Sequence, residues 1–154
     1  MSGKRVLAAG KFDILHLGHL AYLEQAKQLA GSDGKLIVVI ARDKTIREQR
    51  GAPPVFPQDQ RRELLEALHI VDQAIIGYDT RNHTDIVEDI KPDIIALGYD
   101  QKTDIDALKQ LFSEKGLTTE IVRLKKRKAD GLCSSTSIRK RIIKYYTENG
   151  RVRD

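Results

Sequence analysis

Short apolar runs alternate along this chain with longer segments in which apolar residues recur every three or four positions. The apolar runs predict five strands, at 5–9, 36–41, 71–76, 93–98 and 119–124. The longer segments, with their cap and turn residues, predict helices over about 16–30, 45–50, 58–68, 84–90 and 104–115, followed by a last helix capped by Ser134 or Ser135. The regular alternation predicts an α/β fold: a single-domain, doubly wound (Rossmann-like) parallel five-stranded sheet.

Two of these segments carry further detail. The run 36–41 shows no polar alternation, which is typical of a parallel strand covered on both faces. In the helix at 58–68 we expect Leu64, Leu65 and Leu68 to point inward. The chain contains no internal repeat or linker, so we expect one domain over 1–150 and a frayed tail over 151–154.

Composition narrows the class of protein. The chain has 154 residues, 40% hydrophobic and 32% charged, which suits a globular fold rather than a disordered one. Its longest apolar runs are too short to span a membrane, and its first residues resemble no signal peptide. The single cysteine, Cys133, excludes an intrachain disulfide and leads us to expect a cytoplasmic location. A net charge of +5 favours anionic partners.

The first predicted strand is followed by the stretch that contains the most candidate functional residues, Gly10-Lys11-Phe12-Asp13-Ile14-Leu15-His16-Leu17-Gly18-His19. His16 and His19 lie three residues apart at the start of the first helix, so they project from the same side of its first turn. Gly18 between them leaves the backbone accessible. Exposed N–H groups at a helix N-terminus attract anions, so the residues predict a phosphate site here.

This stretch resembles the G-x-F-D…H-x-G-H signature of the cytidylyltransferase-like nucleotidyltransferases. The resemblance implies that His16, His19 and Lys11 are catalytic and that the surrounding turn binds a nucleoside triphosphate. Lys11 replaces the threonine that is usual in the family and adds a positive charge. The nucleotide-binding set expected on this basis is Gly10, Lys11, Phe12, Asp13, His16, Gly18, His19, Asp100, Arg127, Ser134, Ser135 and Thr136.

Several members of that set come from motifs later in the chain. The segment from Ser134 to Thr136 is similar to the family's hydroxyl-rich motif at a second helix N-terminus, although Cys133 stands where isoleucine is usual. Gly98-Tyr99-Asp100-Gln101 resembles the family's G-x-D after the fourth strand. The family's arginine before the hydroxyl motif has two possible matches, Arg127 and Lys128. Asp13 either orients the histidines, helps to hold Mg²⁺ or serves as a turn residue.

A second group of arginines is expected at the acceptor. Arg61 lies in a helix similar to the one that carries a phosphate-contacting arginine in the family, and Arg42 follows the second strand, where α/β sheets place ligands. Arg47 and Arg50 are further candidates, but surface charge is the better interpretation of them. His69 and His83 match no motif.

The resemblance implies direct in-line attack by an acceptor phosphate on the α-phosphorus of a nucleoside triphosphate, with Mg²⁺ bound mainly by the triphosphate and no protein metal ligand assigned. Segments around Arg42, Arg61, Lys91 and Asp100 are most similar to the archaeal FAD synthases, which join FMN to the AMP part of ATP. The family resemblance also suggests a homodimer that acts on small molecules, without nucleic-acid or membrane partners.

Other functions fit the sequence less well than FMN adenylyl transfer. A glycerol-3-phosphate cytidylyltransferase shares the same motifs and is the main alternative. A basic nucleic-acid-binding protein is disfavoured because the basic residues are scattered among 22 acidic ones. The intact histidine pair argues against a module that binds nucleotide without turnover. The chain has neither a G-x-G-x-x-G turn nor a P-loop, and it lacks the lysine-rich signature of aminoacyl-tRNA synthetases.

Overall fold

Five parallel strands form one sheet, and the computed structural model describes residues 3–80, 82, 84–127 and 131–150 of the chain. The strands are β1 (Arg5–Gly10), β2 (Lys35–Ile40), β3 (Gln73–Ile76), β4 (Ile94–Leu97) and β5 (Glu120–Arg123). The helices are α1 (Leu17–Ala30), α2 (Asp43–Arg50), α3 (Gln58–Glu66), α4 (Thr84–Ile90), α5 (Ile105–Glu114) and α6 (Ser135–Asn149). The predicted strands and helices are therefore all present, with bounds that differ by a few residues; the tail 151–154 lies outside the described residues.

The strand order in the sheet is β3-β2-β1-β4-β5. From β1, the next two strands, β2 and β3, lie on one side of β1. The chain then crosses to the other side, where β4 and β5 lie. β1 therefore pairs with β2 on one side and with β4 on the other, both in parallel. This reversal creates a crevice at the carboxyl ends of β1 and β4, the place where open α/β sheets bind ligands.

Both faces of the sheet are covered, which explains why its central strands are apolar without alternation. On β2, Leu36, Val38 and Ile40 belong to one buried cluster, together with Leu23 of α1. Ile37 and Val39 belong to the cluster on the opposite face. The predicted doubly wound parallel sheet is confirmed.

The inward face of α3 differs from the prediction. Leu65 is 1% exposed and Leu68 packs against the core, but Leu64 is 39% exposed. The buried position one turn before Leu65 is occupied by Arg61, which is 1% exposed. The stripe at positions 61, 65 and 68 follows helical spacing, and this turns Leu64 toward solvent.

Helix α6 extends from the domain rather than packing into it. None of its 15 residues, all of which the structure describes, is buried. Ile142, Ile143, Tyr145 and Tyr146 are between 47% and 67% exposed. Across the described parts of the chain, no helix combines the length and apolarity needed to cross a membrane.

Replacing Leu65 by alanine should lower the free energy of unfolding by about 2–5 kcal/mol, because it leaves a cavity in a fully packed site. Leu64→Ala, one residue away on the exposed side, is the matched control and should cost less than about 1 kcal/mol. Urea unfolding of both variants measures the difference. Equal losses would contradict the assignment of the buried face of α3.

Candidate active site

His16 and His19 cap the N-terminus of α1 by hydrogen bonds to each other's backbone. The Nδ1 atom of His16 accepts hydrogen bonds from the N–H of Gly18 at 3.1 Å and of His19 at 3.4 Å. The Nδ1 atom of His19 accepts one from the N–H of His16 at 3.2 Å. This is a capping box in which imidazoles take the places usually held by serine and glutamate. The two rings stack with their centroids 3.6 Å apart.

These hydrogen bonds determine the tautomer of both histidines. A backbone N–H can only donate, so each Nδ1 must carry a lone pair, and the proton of each neutral ring sits on Nε2. Burial lowers the pKa of His16. Burial, and secondarily the neighbouring His16, lower the pKa of His19 to about 3. At neutral pH both side chains are therefore uncharged and carry an Nε2–H donor on the side of the ring away from the helix backbone.

The backbone of α1 itself offers less to an anion than the sequence predicted. The N–H groups of Gly18 and His19 are used by His16 Nδ1, and that of Leu20 bonds to the carbonyl of His16. Three of the first four amides of α1 therefore already have acceptors, and within the described residues that of Leu17 has none. The donors that this helix start offers an anion are the N–H of Leu17 and the Nε2–H groups of the two histidines.

Gly18 is open to a close approach, and the group that uses this space is protein. A Cβ atom at position 18 would overlap the carbonyl oxygen of Cys133. The segment before α6 thus rests directly on the first turn of α1. This contact brings the N-terminus of α6 beside the histidine pair.

The N-terminus of α6 supplies further open backbone donors. Ser134 is the N-cap, and its Oγ accepts a hydrogen bond from the N–H of Ser137 at 3.1 Å. Among the described residues, no group accepts a hydrogen bond from the N–H of Ser135 or Thr136. The hydroxyl-rich segment predicted to hold phosphate is therefore a helix N-terminus with two backbone donors available.

Arg139 is a further candidate residue at this site, to which no sequence motif points. Its Nη1 atom is buried and has no hydrogen-bond partner within the described residues. Its Nη2 atom lies 3.4 Å from Oγ1 of Thr136. A buried guanidinium N–H without an acceptor is costly, and an anion at the start of α6 would satisfy it. The available signal was its spacing, one helical turn after Thr136.

The Gly10-Lys11-Phe12-Asp13 turn has a strained backbone. Phe12 and Ile14 both have φ of 51°, in the left-handed region that non-glycine residues rarely adopt. Each such residue costs on the order of 1 kcal/mol or more and persists only where its surroundings hold it. The Phe12 ring is buried and lies 5.2 Å from the ring of His19 and 6.1 Å from that of Tyr22.

Asp13 holds this turn rather than a ligand. Its two carboxylate oxygens accept hydrogen bonds from the N–H groups of Val55 at 2.8 Å and Phe56 at 2.9 Å, and its side chain is 2% exposed. Of its three predicted roles, the structure supports the turn residue. The neighbouring prolines Pro53, Pro54 and Pro57 have no N–H to donate, so Asp13 takes the two that this part of the loop offers.

Arg61, which the sequence predicts at the acceptor phosphate, is buried and does not face an open cleft. Its guanidinium bonds to the carbonyls of Phe56 at 2.9 Å and Lys11 at 2.6 Å and to the carboxylate of Asp43 at 2.7 Å. With no exposed side-chain surface, it has no room for a ligand. Arg42 is half-buried, and only its Nε is engaged, with the carbonyl of Gly77 at 2.7 Å.

The loop after β4 presents Tyr99 and Asp100 outward at the same edge of the sheet. Gln101 accepts the N–H of Gly98 and donates to the carbonyl of Ala9 at 2.7 Å, which ties this loop to the end of β1. Arg123 donates to the carbonyls of Gly98 and Thr103. The Lys126 ammonium lies 5.6 Å from the centre of the exposed Tyr99 ring.

Tyr22 joins the two strands that border the crevice. Its hydroxyl donates to the carbonyl of Ala96 on β4 and accepts the N–H of Ala9 on β1 at 3.2 Å. Burial raises the pKa of Tyr22, and the negative charge of Asp100 raises it further.

The contacts of the remaining predicted residues do not suggest a role in the site. Arg127 forms an exposed ion pair with Glu24 of α1 at 2.7 Å. Arg47, Arg50 and His69 are exposed on the surface. Lys128 and His83 lie outside the described residues.

The described residues do not form a metal cage. No group of three or more His, Cys, Asp or Glu side chains within them is arranged to hold a metal ion. Both oxygens of Asp13 are used by backbone N–H groups, so it is poorly suited to Mg²⁺.

A doubly wound parallel sheet, with paired Nε2–H donors at the first strand–helix turn and a second helix N-terminus beside them, defines a nucleotidyltransferase of the H-x-G-H type. The family model described as cytidylyltransferase-like matches residues 7–141. The chain belongs to this family.

Archaeal relatives match nearly the whole chain. The FAD synthase of Methanopyrus kandleri is 41% identical over 144 residues, which cover 94% of this chain and 95% of the relative. The FAD synthase of Methanobrevibacter smithii is 45% identical over 141 residues, 92% of each chain. That of Thermoplasma volcanium is 45% identical over 145 residues, 94% of this chain and 97% of the relative.

A solved structure extends the comparison to the fold. The crystal structure of the lipopolysaccharide core biosynthesis protein from Thermoplasma volcanium is 43% identical, with a TM-score of 0.76, and it aligns over 82% of this chain and 100% of its own. The pantoate-β-alanine ligase of Francisella tularensis, 18% identical with a TM-score of 0.59, shares the fold.

Acid should destabilise this protein through His19. Its pKa is near 6.5 in the unfolded chain and about 3 in the folded one. Between these values the unfolded state binds a proton that the folded state does not, so the free energy of unfolding falls as pH drops below about 6.5. One such group contributes a slope of up to about 1.4 kcal/mol per pH unit.

The measurement is urea unfolding between pH 8 and pH 5. His19→Asn removes the titrating group and should flatten the slope, whereas replacement of the exposed His69 by asparagine should leave it unchanged. An unchanged slope in His19→Asn would show that His19 is not held neutral by the fold.

Proposed function

We propose that this protein transfers AMP from ATP to FMN, forming FAD and pyrophosphate. The observation that supports FMN as the acceptor is the sequence identity of 41–45% to archaeal FAD synthases over more than 90% of the chain. The site supports the type of reaction, because its donors converge where a triphosphate would lie across the carboxyl ends of β1 and β4. Its neutral imidazoles suit hydrogen bonding to phosphate oxygens better than nucleophilic attack.

In the proposed reaction, a phosphate oxygen of FMN attacks the α-phosphorus of ATP in line as the bond to the β-phosphate oxygen breaks. No covalent enzyme intermediate forms. His16 and His19 donate from Nε2 to the phosphate oxygens whose charge grows in the transition state, and the preorganised donors need no rearrangement. Lys11, at the end of β1, adds positive charge beside them. Chemistry of this kind depends mainly on positioning and charge stabilisation.

The second helix N-terminus completes the triphosphate site in this proposal. The N–H groups of Ser135 and Thr136 and the unsatisfied Nη1 of Arg139 bind the phosphates that leave as pyrophosphate. A Mg²⁺ ion bound to ATP would offset the charge of its phosphates; we assign it no protein ligand. Asp100 and Tyr99 lie on the nucleoside side, and Arg42 lies on the acceptor side.

We include two further features in the proposal. A cytoplasmic location fits the substrates and the use of one cysteine. A homodimer fits the exposure of α6, because Ile142, Ile143, Tyr145 and Tyr146 place four large apolar side chains at the surface of one helix. A second copy of the chain, packed against α6, would cover it.

The decisive experiment measures pyrophosphate release from ATP or CTP, each with FMN or glycerol 3-phosphate. We expect turnover with ATP and FMN, and FAD as the product by chromatography. Turnover with CTP and glycerol 3-phosphate alone would replace this function with that of a glycerol-3-phosphate cytidylyltransferase. Salt-sensitive oligonucleotide binding without turnover would favour a nucleic-acid-binding protein.

The same assay tests the donor role of His19. In His19→Asn a side-chain oxygen can still accept the N–H of His16, so the cap is retained, but the Nε2–H donor is lost. We expect normal folding and a kcat lower by a hundredfold or more, about 3 kcal/mol of transition-state stabilisation. His19→Ala loses both cap and donor and should also lose stability. A near-normal rate in His19→Asn would show that this imidazole is only a cap.

The dimer is tested by light scattering after size exclusion at micromolar concentration. We expect twice the chain mass for the wild type and a monomer for Ile143→Glu, because the charge would be buried at the interface. Lys109→Glu, on the exposed surface of α5, controls for the change in charge. A monomeric wild type would contradict the proposal.

A further inference from the structure

Arg61 is a buried charge with three separate partners from three parts of the chain. Its Nη2 pairs with Asp43 at the start of α2, its Nε with the carbonyl of Phe56, and its Nη1 with the carbonyl of Lys11. Removing a guanidinium from water is unfavourable unless its hydrogen bonds are satisfied, and here every nitrogen of the group has an acceptor. Such a residue either holds the structure or positions something that the reaction needs.

The contact with Lys11 places Arg61 at the catalytic turn. The carbonyl of Lys11 belongs to the peptide group that precedes Phe12, the first of the two residues with φ of 51°. The hydrogen bond fixes the plane of this peptide and so holds Phe12 in its unfavourable conformation. On the other side of Phe12, Asp13 binds the loop that also provides the Phe56 carbonyl to Arg61.

Phe12 passes this constraint on to the histidine pair. Its ring is 4% exposed and lies 5.2 Å from the ring of His19. If the peptide between Lys11 and Phe12 rotates, the ring that supports His19 moves, and the side chain of Lys11 is redirected at the same time. Arg61 is therefore linked to both candidate donors without touching a substrate.

We propose that Arg61 is a positioning residue for catalysis, which holds the Lys11–Phe12 peptide so that Lys11 and the Nε2 atom of His19 are aimed at the same phosphate group. The proposal rests on the proposed adenylyl transfer for its kinetic test. It replaces the role of acceptor-phosphate ligand that the sequence suggested for this arginine.

The test compares Arg61→Lys with the control Arg62→Met. Arg62 is the adjacent arginine, and within the described residues its ion pair is with Glu66 at the surface. Arg61→Lys keeps the charge but cannot reach all three acceptors. We expect its kcat to fall by about tenfold to a hundredfold, as for a small misplacement of reacting groups, while the KM for FMN changes less than threefold. Arg62→Met should match the wild type in both constants.

Two further measurements separate positioning from simple loss of structure. Millimolar guanidinium should restore part of the kcat of Arg61→Ala and none of that of His19→Asn. The ring ¹⁵N chemical shifts of His16 and His19 should change in Arg61→Lys but not in Arg62→Met, whichever substrates the enzyme uses. Should Arg61 variants fail to fold, Asp43→Asn, which weakens one partner of Arg61, should give the same fall in kcat alone.

Each opposite result overturns the inference. A tenfold rise in the KM for FMN with kcat intact would make Arg61 an acceptor ligand. Wild-type kcat and unchanged histidine shifts in Arg61→Lys would leave it without a positioning role. If the wild type uses CTP and glycerol 3-phosphate instead, the proposed function fails, and the same kcat and KM comparison with that pair still decides the role of Arg61.

Discussion

The mutual capping of His16 and His19 is the interaction on which the candidate site depends. The first turn of a helix presents N–H groups that need acceptors, and here the imidazoles accept them through Nδ1. The same bonds fix the tautomer of both rings and leave Nε2–H as the outward donor, while burial keeps the rings neutral. A helix cap and a pair of candidate phosphate donors are thus one arrangement, and any residue without two nitrogens on opposite sides of a ring would provide only one of them.

A second constraint lies beneath the site, where charge is buried to hold a strained turn. Asp13 and Arg61 are 2% and 1% exposed, and they do not pair with each other. Instead, each binds the 51–57 loop. Asp13 accepts hydrogen bonds from two N–H groups of the loop, and Arg61 donates to one of its carbonyls. Arg61 also donates to a carbonyl of the turn itself. The result is a backbone with two left-handed non-glycine residues that is held from both sides. Strain of this kind is typical of functional sites, because the surrounding structure must over-determine the conformation.

Close packing of two helix N-termini completes the arrangement. The absence of a side chain at Gly18 lets the carbonyl of Cys133 rest on α1. Helix α6 then begins beside the histidines with its backbone donors open, and Arg139 follows one turn later. The rest of α6 leaves the domain with its apolar side chains exposed, so the element that completes the proposed triphosphate site also provides the proposed dimer surface.

The sequence alone determined the order and type of the strands and helices, because apolar runs and helical periodicity are local properties of the chain. It also located the histidine pair and the hydroxyl-rich cap, since each motif is contiguous and its spacing decides which side chains share a helix turn. It misjudged Leu64 and did not reveal that Arg61 and Asp13 are buried, for one physical reason. Whether an arginine faces solvent or replaces a leucine in a buried stripe, and whether a carboxylate meets a ligand or a loop, depends on tertiary contacts. Those of Asp13 with Val55 and of Arg61 with Lys11 join residues 42 and 50 positions apart.

Only the tertiary structure decided which donors remain for an anion. Gly18 looked like an opening for phosphate, but the chain returns more than a hundred residues later to fill it with the Cys133 carbonyl. Arg139 gave no local signal beyond its spacing, and its unsatisfied Nη1 emerges only when the surrounding atoms are in place. Motif spacing can be read from the linear chain. Which hydrogen-bond donors find acceptors, however, depends on how the chain packs in three dimensions.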